Sequence, residues 1–322
     1  MVKKKVFLSL LIAIVLIWCD WGLVLFGKEN QATDSHSSNW EENEFIAHAL
    51  GGIDGSIYTN SYDAFISNYH RGYRLFEVDL LQTGKGEFIA RHDWSQKLQP
   101  DLSDQKSHMF TMSQFENSLI LGKFQPLALN DILHLMQEYP DFNLIIDTKA
   151  NNKESIQYQF EYLVNEAIRT DASLLERIIP EIFNPEMYDA VMKIYPFPNK
   201  IYSLYKSNNS AASIVKFVQD NHISVVAMPT LRAFINPNLV HTLNKIGVKS
   251  YVHTVNNIVM MKLLQSMGVH GFYTDQEVSP NVLAQTTAKP INVIFHEYSS
   301  TRLESIINIS NLILKVKQHG YK

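Results

Sequence analysis

Cysteine is nearly missing from this sequence: Cys19 is the only one among 322 residues. A disulfide framework and a cysteine-rich metal site are therefore excluded. An excess of positive charge is also missing, since the net charge is -4 and no basic stripe is interleaved with aromatic residues. This excludes nucleic acid as a partner. No glycine-rich loop of the dinucleotide-binding form follows the first predicted strand, which counts against an open, doubly wound sheet.

The N-terminus has the one long apolar run. The lysines of Lys3–Lys5 precede a mostly apolar stretch from Val6 to Phe26. That length can cross a bilayer as a helix with the lysines on the cytoplasmic side, and no convincing cleavage site follows. We predict an uncleaved signal anchor over residues 1–27, a polar linker over 28–43, and a body attached to the cell membrane outside the cytoplasm. Asp20 favours the alternative, a cleaved signal and a secreted protein.

Nine short runs rich in β-branched and aromatic residues alternate with longer helical patterns in the body of the chain. Only a few residues, around Thr83–Gly86, join the second and third runs, whereas a parallel connection needs a dozen or more. That pair is therefore predicted to be an antiparallel hairpin. The predicted strands are Phe45–His48, Arg74–Leu80, Glu87–His92, Phe142–Asp147, Arg177–Phe183, Lys200–Tyr205, Ile223–Met228, Lys249–His253 and His270–Thr274.

The eight other runs fit a closed parallel barrel. The predicted fold class is α/β, a TIM (β/α)8 barrel over residues 44–290 with a β-hairpin insertion after strand 2. A doubly wound open sheet is the alternative. Residues 291–322 show apolar positions at helical spacing, so we predict a C-terminal helical extension that packs on the barrel or lies on the membrane.

The predicted hairpin brings two acids and an imidazole together. With its tip at Gly84–Lys85, the pairing places Glu77 opposite His92. Asp79 then lies opposite Ala90. Because side chains two residues apart share a face, both acids and the imidazole are expected to point the same way. Such a set suits a hard divalent cation, and a solvated hairpin edge is the alternative.

Polar residues also close other predicted strands. His48 ends the first strand. Asp147 and Lys149 lie two residues apart at the end of the fourth strand and therefore share one face. Since the C-terminal ends of barrel strands form active sites, these positions favour a site at the barrel mouth. Glu181 ends the fifth strand, where it could approach a metal or cap a helix. Asp275 is expected to brace the last loop.

The ordered set of these motifs resembles the glycerophosphodiester phosphodiesterase family, which belongs to the phospholipase-C-like TIM-barrel phosphodiesterases. The likeness extends over about residues 44–285. It rests first on an ordered set of short motifs: a histidine after strand one, E-x-D on strand two, H-D after a short turn, acid-x-Lys on strand four and T-D at the last strand. Three longer segments also resemble the family: YTNSYDAF, VHTVNN and GVHGFYTD.

The resemblance implies a metal-dependent phosphodiesterase acting on glycerophosphodiesters or related lipid and cell-wall phosphodiesters. The implied cofactor is a divalent metal ion, Ca²⁺ or Mg²⁺. Two histidines would exchange protons with the attacking and leaving groups. The implied site residues are the acid/base pair His48 and His92, the metal ligands Glu77, Asp79 and Asp147, and the phosphate-binding Lys149.

Several departures from the family pattern leave the substrate open. Ala49 stands where the family has an arginine, which removes a bidentate phosphate donor. Arg91 is no substitute, because alternation turns it away from the face of His92. Thr59 and Asp147 each replace a glutamate, and His253 replaces the usual tryptophan, where it would touch substrate or fill the barrel mouth. A non-catalytic barrel that binds phosphorylated ligands and a lyase that releases a cyclic phosphate are the alternatives.

Overall fold

The structure covers the body of the chain. The computed structural model describes residues 40–95, 97–99, 110–150 and 152–297. The anchor predicted over residues 1–27 lies outside these ranges and stays a prediction. No helix among the described residues is both long enough and apolar enough to span a bilayer.

Nine strands form one sheet in the described residues. They are β1 Phe45–Ala47, β2 Leu75–Gln82, β3 Phe88–Ala90, β4 Asn143–Thr148, β5 Ile178–Ile182, β6 Ile201–Ser203, β7 Val225–Pro229, β8 Lys249–His253 and β9 Gly271–Thr274. Eight of them run parallel, and β1 pairs with both β2 and β9, which closes the sheet. The predicted TIM barrel is confirmed, and the open-sheet alternative is wrong because an open sheet has no such closing pair.

Helices lie between the strands, and polar side chains start them. Ser61, Asn152 and Asn184 each accept a hydrogen bond from a first-turn backbone N–H group, which has no partner inside the helix. The α-helices are α1 Tyr62–His70, α2 Met112–Glu116, α3 Leu129–Glu138, α4 Lys153–Asp171, α5 Pro185–Ile194, α6 Ala211–Asp220, α7 Thr230–Ile235, α8 Pro237–Lys245, α9 Ile258–Ser266, α10 Pro280–Ala288 and α11 Ile291–Glu297. Of the predicted C-terminal extension, only α11 lies within the described residues.

The barrel interior changes from apolar to polar along β4 and β5. On β4, Ile145 belongs to the inner apolar cluster, and Asp147, two residues on, lines the mouth. On β5, Ile179 and Glu181 repeat this arrangement. Because residues two apart share a face, each of these two strands supplies both a packed floor and a polar group above it. The inner cluster consists of Trp40, Ile46, Leu75, Ile145, Ile179, Ile201, Val225, Ala227, Tyr251 and Tyr273.

Trp40 corrects the predicted linker boundary. Trp40–Glu42 forms a short 3-10 helix, and the indole of Trp40 is only 4% exposed within the inner cluster. Burying an aromatic side chain of this size stabilises a fold by about 1.5–3 kcal/mol. The end of the segment predicted as a linker, residues 28–43, therefore belongs to the folded body.

The hairpin is present, but its predicted register is wrong by one residue. Leu80, rather than Asp79, pairs with Ala90. The turn has three residues, Gly84–Gly86, and Gly86 has a φ of 94°. Three-residue hairpin loops need a residue in this left-handed region, which glycine adopts without steric cost. The extra loop residue shifts the register.

Candidate active site

Three carboxylates meet at the mouth of the barrel. Glu77 and Asp79 lie on β2 and are almost fully buried, and Asp147 is the direct parallel partner of Asp79 on β4. One ligand oxygen from each of the three lies within 4.8 Å of the others. Adjacent strand ends therefore place the predicted acidic triad in one cluster.

Lys149 lies against this cluster. Its Nζ is 2.6 Å from Asp79 Oδ1 and 2.5 Å from Asp147 Oδ2. Burial alone would lower the pKa of Lys149, but the surrounding carboxylates raise it well above its ordinary value. For Asp79, burial would raise the pKa, but the lysine outweighs it and the pKa is lowered. The ammonium group is therefore charged and held by the acids.

The triad fits a divalent cation by the chemistry of its donors. Burial, and then repulsion from Asp79, raises the pKa of Glu77 well above its ordinary value. The pKa of Asp147 is also raised, mainly by burial. One lysine thus leaves the three acids short of positive charge. Clustered carboxylate oxygens are the ligands that Ca²⁺ and Mg²⁺ prefer.

Backbone and amide groups hold two of the acids in place. The Ala49 N–H group donates to Glu77 Oε2 at 2.7 Å. Asn60 donates from Nδ2 to Asp79 Oδ2 at 2.8 Å and accepts from the Asp79 N–H group at 3.1 Å. Residues between β1 and α1 thereby fix the orientation of the carboxylates on β2.

Asp275 orients His48. The Nδ1 atom of His48 is 2.8 Å from Asp275 Oδ1, and Asn256 Nδ2 donates to the other oxygen of Asp275 at 2.7 Å. Burial would lower the pKa of His48, but the hydrogen bond to Asp275 and the charge of Glu77 raise it to about 9. His48 is therefore protonated at neutral pH. Asp275 was expected only to brace its loop, and its contact with His48 crosses 227 residues of sequence.

We expect Asp275→Asn to lower kcat/KM by about 10- to 100-fold, part of the roughly 10²- to 10⁴-fold that acid–base catalysis supplies. The amide removes the negative charge that raises the pKa of His48, so the alkaline limb of the pH–rate profile should move to lower pH. The measurement is kcat/KM from pH 5 to 10 for both proteins. An unchanged alkaline limb would show that Asp275 does not act through His48.

His92 contacts the same aromatic ring as His48. It follows β3, and its Nδ1 atom is 3.0 Å from Asp93 Oδ2. The Tyr58 ring contacts both imidazoles, with ring centroids 4.7 Å from His48 and 5.1 Å from His92. Both histidines line the same pocket as the acidic triad. The register error thus does not remove His92 from the site.

The pocket also contains the two residues whose roles the sequence left open. Glu181 accepts a hydrogen bond from the Tyr273 hydroxyl, while Asn184 is the side chain that caps the following helix. His253 also lines the pocket, and its Nε2 atom is buried with no hydrogen-bond partner among the described residues. Burial, and then the charge of His48, lowers the pKa of His253 to about 4. His253 is therefore a neutral imidazole.

We expect Glu181→Gln to stabilise the protein at pH 8. Burial, and then the charge of Asp147, raises the pKa of Glu181 from 4.5 to about 7. The folded state therefore retains a proton that the unfolded state releases, so stability falls as the pH rises from 4.5 to 7. The amide removes this penalty, which amounts to at most about 3 kcal/mol.

Urea unfolding at pH 5 and pH 8 measures this effect, with exposed Glu154→Gln on α4 as the matched control. The gain in the free energy of unfolding should be large at pH 8 and small at pH 5. An equal gain at both pH values would contradict the assigned protonation of Glu181.

The structure also shows where the residues that depart from the family pattern lie. Arg91 is buried and donates to the carbonyl oxygens of Asp93 and Ser95, each at 2.6 Å. It does not line the pocket, as predicted from alternation. Thr59 is buried and its hydroxyl lies 3.0 Å from that of Ser61, so it too stays out of the pocket.

Several pocket residues were not singled out from the sequence. Tyr58 and Tyr205 contribute rings from loops, and no sequence motif marks loop aromatic residues as functional. Ser203 could have been found, because it lies within the predicted strand Lys200–Tyr205 on the face of Ile201. The other missed side chains are Phe183, Thr254 and Tyr273.

The fold and the site define a class, the TIM barrels with an acidic cluster and two histidines at the C-terminal strand ends. The model of the glycerophosphoryl diester phosphodiesterase family matches residues 52–277, which is more than half of the chain. The chain therefore belongs to this family. Membership confirms the predicted enzyme class, a phosphoric diester hydrolase.

Solved structures of family members share the fold. A glycerophosphodiester phosphodiesterase from Parabacteroides distasonis is 18% identical, with a TM-score of 0.61, over 76% of this chain and 96% of that chain. A phosphodiesterase from Oleispira antarctica, in complex with the product sn-glycerol-3-phosphate, is 14% identical, with a TM-score of 0.61. The match covers 75% of this chain and 96% of that chain. A glycerophosphodiester phosphodiesterase from Thermotoga maritima is 16% identical, with a TM-score of 0.54. The match covers 75% of this chain and 97% of that chain.

Proposed function

We propose that this chain hydrolyses glycerophosphodiesters, or related lipid and cell-wall phosphodiesters, in a metal-dependent reaction with two histidines as acid and base. The observation that supports this most directly is that one pocket contains the acidic triad, Lys149 and both histidines. Family membership supports the reaction type. The Oleispira antarctica relative was crystallised with sn-glycerol-3-phosphate, which supports a glycerol-bearing substrate.

The proposed roles follow from charge and protonation. His48, protonated at neutral pH, donates its proton to the leaving alkoxide as the bond from phosphorus to that oxygen breaks. His92 accepts the proton of the attacking hydroxyl, which belongs to water or to the glycerol of the substrate. Lys149 contacts the phosphate and neutralises charge on its oxygens.

Glu77, Asp79 and Asp147 are the residues that would hold Ca²⁺ or Mg²⁺. When bound, the ion would supply further positive charge beside the phosphoryl oxygens. The raised pKa values of Glu77 and Asp147 support this assignment, because burial leaves these acids in need of further positive charge. If water attacks, the products are glycerol phosphate and the free alcohol. If the glycerol hydroxyl attacks, the alcohol leaves first and water then opens the cyclic phosphate, which gives the same products.

A substrate screen with the full chain tests this proposal. Glycerophosphocholine and glycerophosphoglycerol are incubated with protein in EDTA, Ca²⁺ or Mg²⁺, and the products are followed by phosphorus NMR. We expect glycerol phosphate to form with a metal present and not in EDTA. A cyclic phosphate as the end product would instead identify a lyase. Binding without turnover would favour a non-catalytic barrel, for which the lack of a donor at Ala49 is the supporting observation.

A further inference from the structure

Tyr58 has an unusual backbone conformation beside the site. Its φ is 61°, and the φ of Asn60 is 47°. Bulky residues rarely adopt this left-handed region, and such strain concentrates at functional sites. For Asn60 the consequence is visible, because its side chain holds Asp79 through two hydrogen bonds. Tyr58 lies two residues earlier in the same strained loop and also reaches the pocket.

The ring of Tyr58 contacts both histidines. The plane of the Tyr58 ring makes an angle of 81° with the imidazole plane of His48 and 70° with that of His92. Edge-on contacts of this kind stabilise ring pairs by about 0.5–1.5 kcal/mol each. A group that contacts both imidazoles is adjacent to any phosphate that the two histidines flank.

The phenol keeps its proton in this position. Burial, followed by the charges of Asp275, Asp79 and Glu77, raises the pKa of Tyr58 above its ordinary value. Its hydroxyl is therefore a neutral donor among acids. Ala49, which follows His48 directly, has only a buried methyl group. On this side of the pocket a phosphate oxygen has no donor from the residue after His48.

We propose that the Tyr58 hydroxyl donates a hydrogen bond to the substrate phosphate, while the Tyr58 ring sets the positions of His48 and His92. This inference rests on the proposed function, because it assigns the phosphate to the space between the histidines. The hydroxyl compensates for the missing donor at position 49. The ring and the hydroxyl have separate roles, so two substitutions separate them.

The test compares Tyr58→Phe, which keeps the ring, with Tyr58→Leu, which removes it. Binding of sn-glycerol 3-phosphate to the full chain is measured by calorimetry with Ca²⁺ present, and kcat and KM are measured on glycerophosphoglycerol. We expect Tyr58→Phe to weaken binding about tenfold, as for loss of one hydrogen bond to a charged group. Tyr58→Leu should weaken binding as much and also lower kcat.

Tyr158→Phe is the matched control, since the Tyr158 hydroxyl donates to the carbonyl of Gly86 at the hairpin tip. It should bind sn-glycerol 3-phosphate as the wild-type protein does. Wild-type affinity in Tyr58→Phe would overturn the proposed contact. Wild-type protein that binds the compound but turns over no phosphodiester would refute hydrolysis while leaving the role of Tyr58 intact. Wild-type protein that does not bind it would overturn both.

Discussion

Alanine at His48 or His92 is expected to lower kcat by about 10³-fold, within the roughly 10²- to 10⁴-fold that positioned acid–base groups supply. Without His48 the leaving alkoxide departs without a proton, and without His92 the attacking hydroxyl keeps its own. Because the two groups act in one reaction, the double variant should lose much less than the product of the single effects. Steady-state kinetics on glycerophosphoglycerol with Ca²⁺ or Mg²⁺ measure all three variants.

His134→Ala is the matched control for this experiment. His134 is exposed on α3, where its Nδ1 atom lies 3.2 Å from Gln137 Oε1, and it does not line the pocket. Its replacement should leave kcat unchanged. If the His48 and His92 variants retained wild-type kcat while the fold stayed intact, two-histidine catalysis would be ruled out.

The second large effect concerns the cation. Glu77→Gln is expected to weaken Ca²⁺ binding about 100-fold, the upper end of the effects seen when groups around a metal are changed. The amide oxygen can still accept from the Ala49 N–H group, so the local structure should persist. Since a bound ion stabilises the folded state by mass action, Ca²⁺ should raise the melting temperature of the wild-type protein and hardly that of the variant.

The same substitution should have the opposite effect without metal. The pKa of Glu77 is raised by burial and by the charge of Asp79, so the ionised carboxylate destabilises the empty site. In EDTA, the melting temperature of Glu77→Gln should therefore equal or exceed that of the wild-type protein. Asp220→Asn, at an exposed ion pair on α6, serves as the control. An equal Ca²⁺ response in wild type and Glu77→Gln would show that the triad does not hold the ion.

The strand alternation explains why most of the pocket could be predicted. Placing Asp147 and Lys149 at the end of one strand requires only the period of two and the rule that barrel sites lie at C-terminal strand ends. The same rule placed Glu77, Asp79 and His48. These predictions depend on local sequence and on the closure of the barrel.

What could not be predicted depends on turns and on distant contacts. The hairpin register required knowing that Gly86 adopts a left-handed conformation, which adds one residue to the loop. The contact between Asp275 and His48 joins opposite ends of the barrel sequence, so no local pattern reveals it. Tyr58 reaches the histidines from a loop in which its φ is 61°, a conformation that no local pattern predicts. The two-residue alternation of strands therefore predicts where strand side chains lie better than where loop side chains lie.

The protonation states of the pocket residues could not be predicted from the sequence either. Glu181 on β5 and His253 on β8 both line the pocket, yet burial raises the pKa of the acid and lowers that of the imidazole. Both shifts favour the neutral form, because the interior disfavours charge of either sign. Only the packed structure reveals the burial of these two groups and the pKa shifts that follow from it.

A crystal structure of the full chain with Ca²⁺ and sn-glycerol 3-phosphate tests the central claim most directly. The account predicts an anomalous peak for Ca²⁺ bound by Glu77, Asp79 and Asp147, and a phosphate that lies between His48 and His92 and contacts Lys149. A cation bound away from the three carboxylates, or a phosphate that contacts neither histidine, would contradict it.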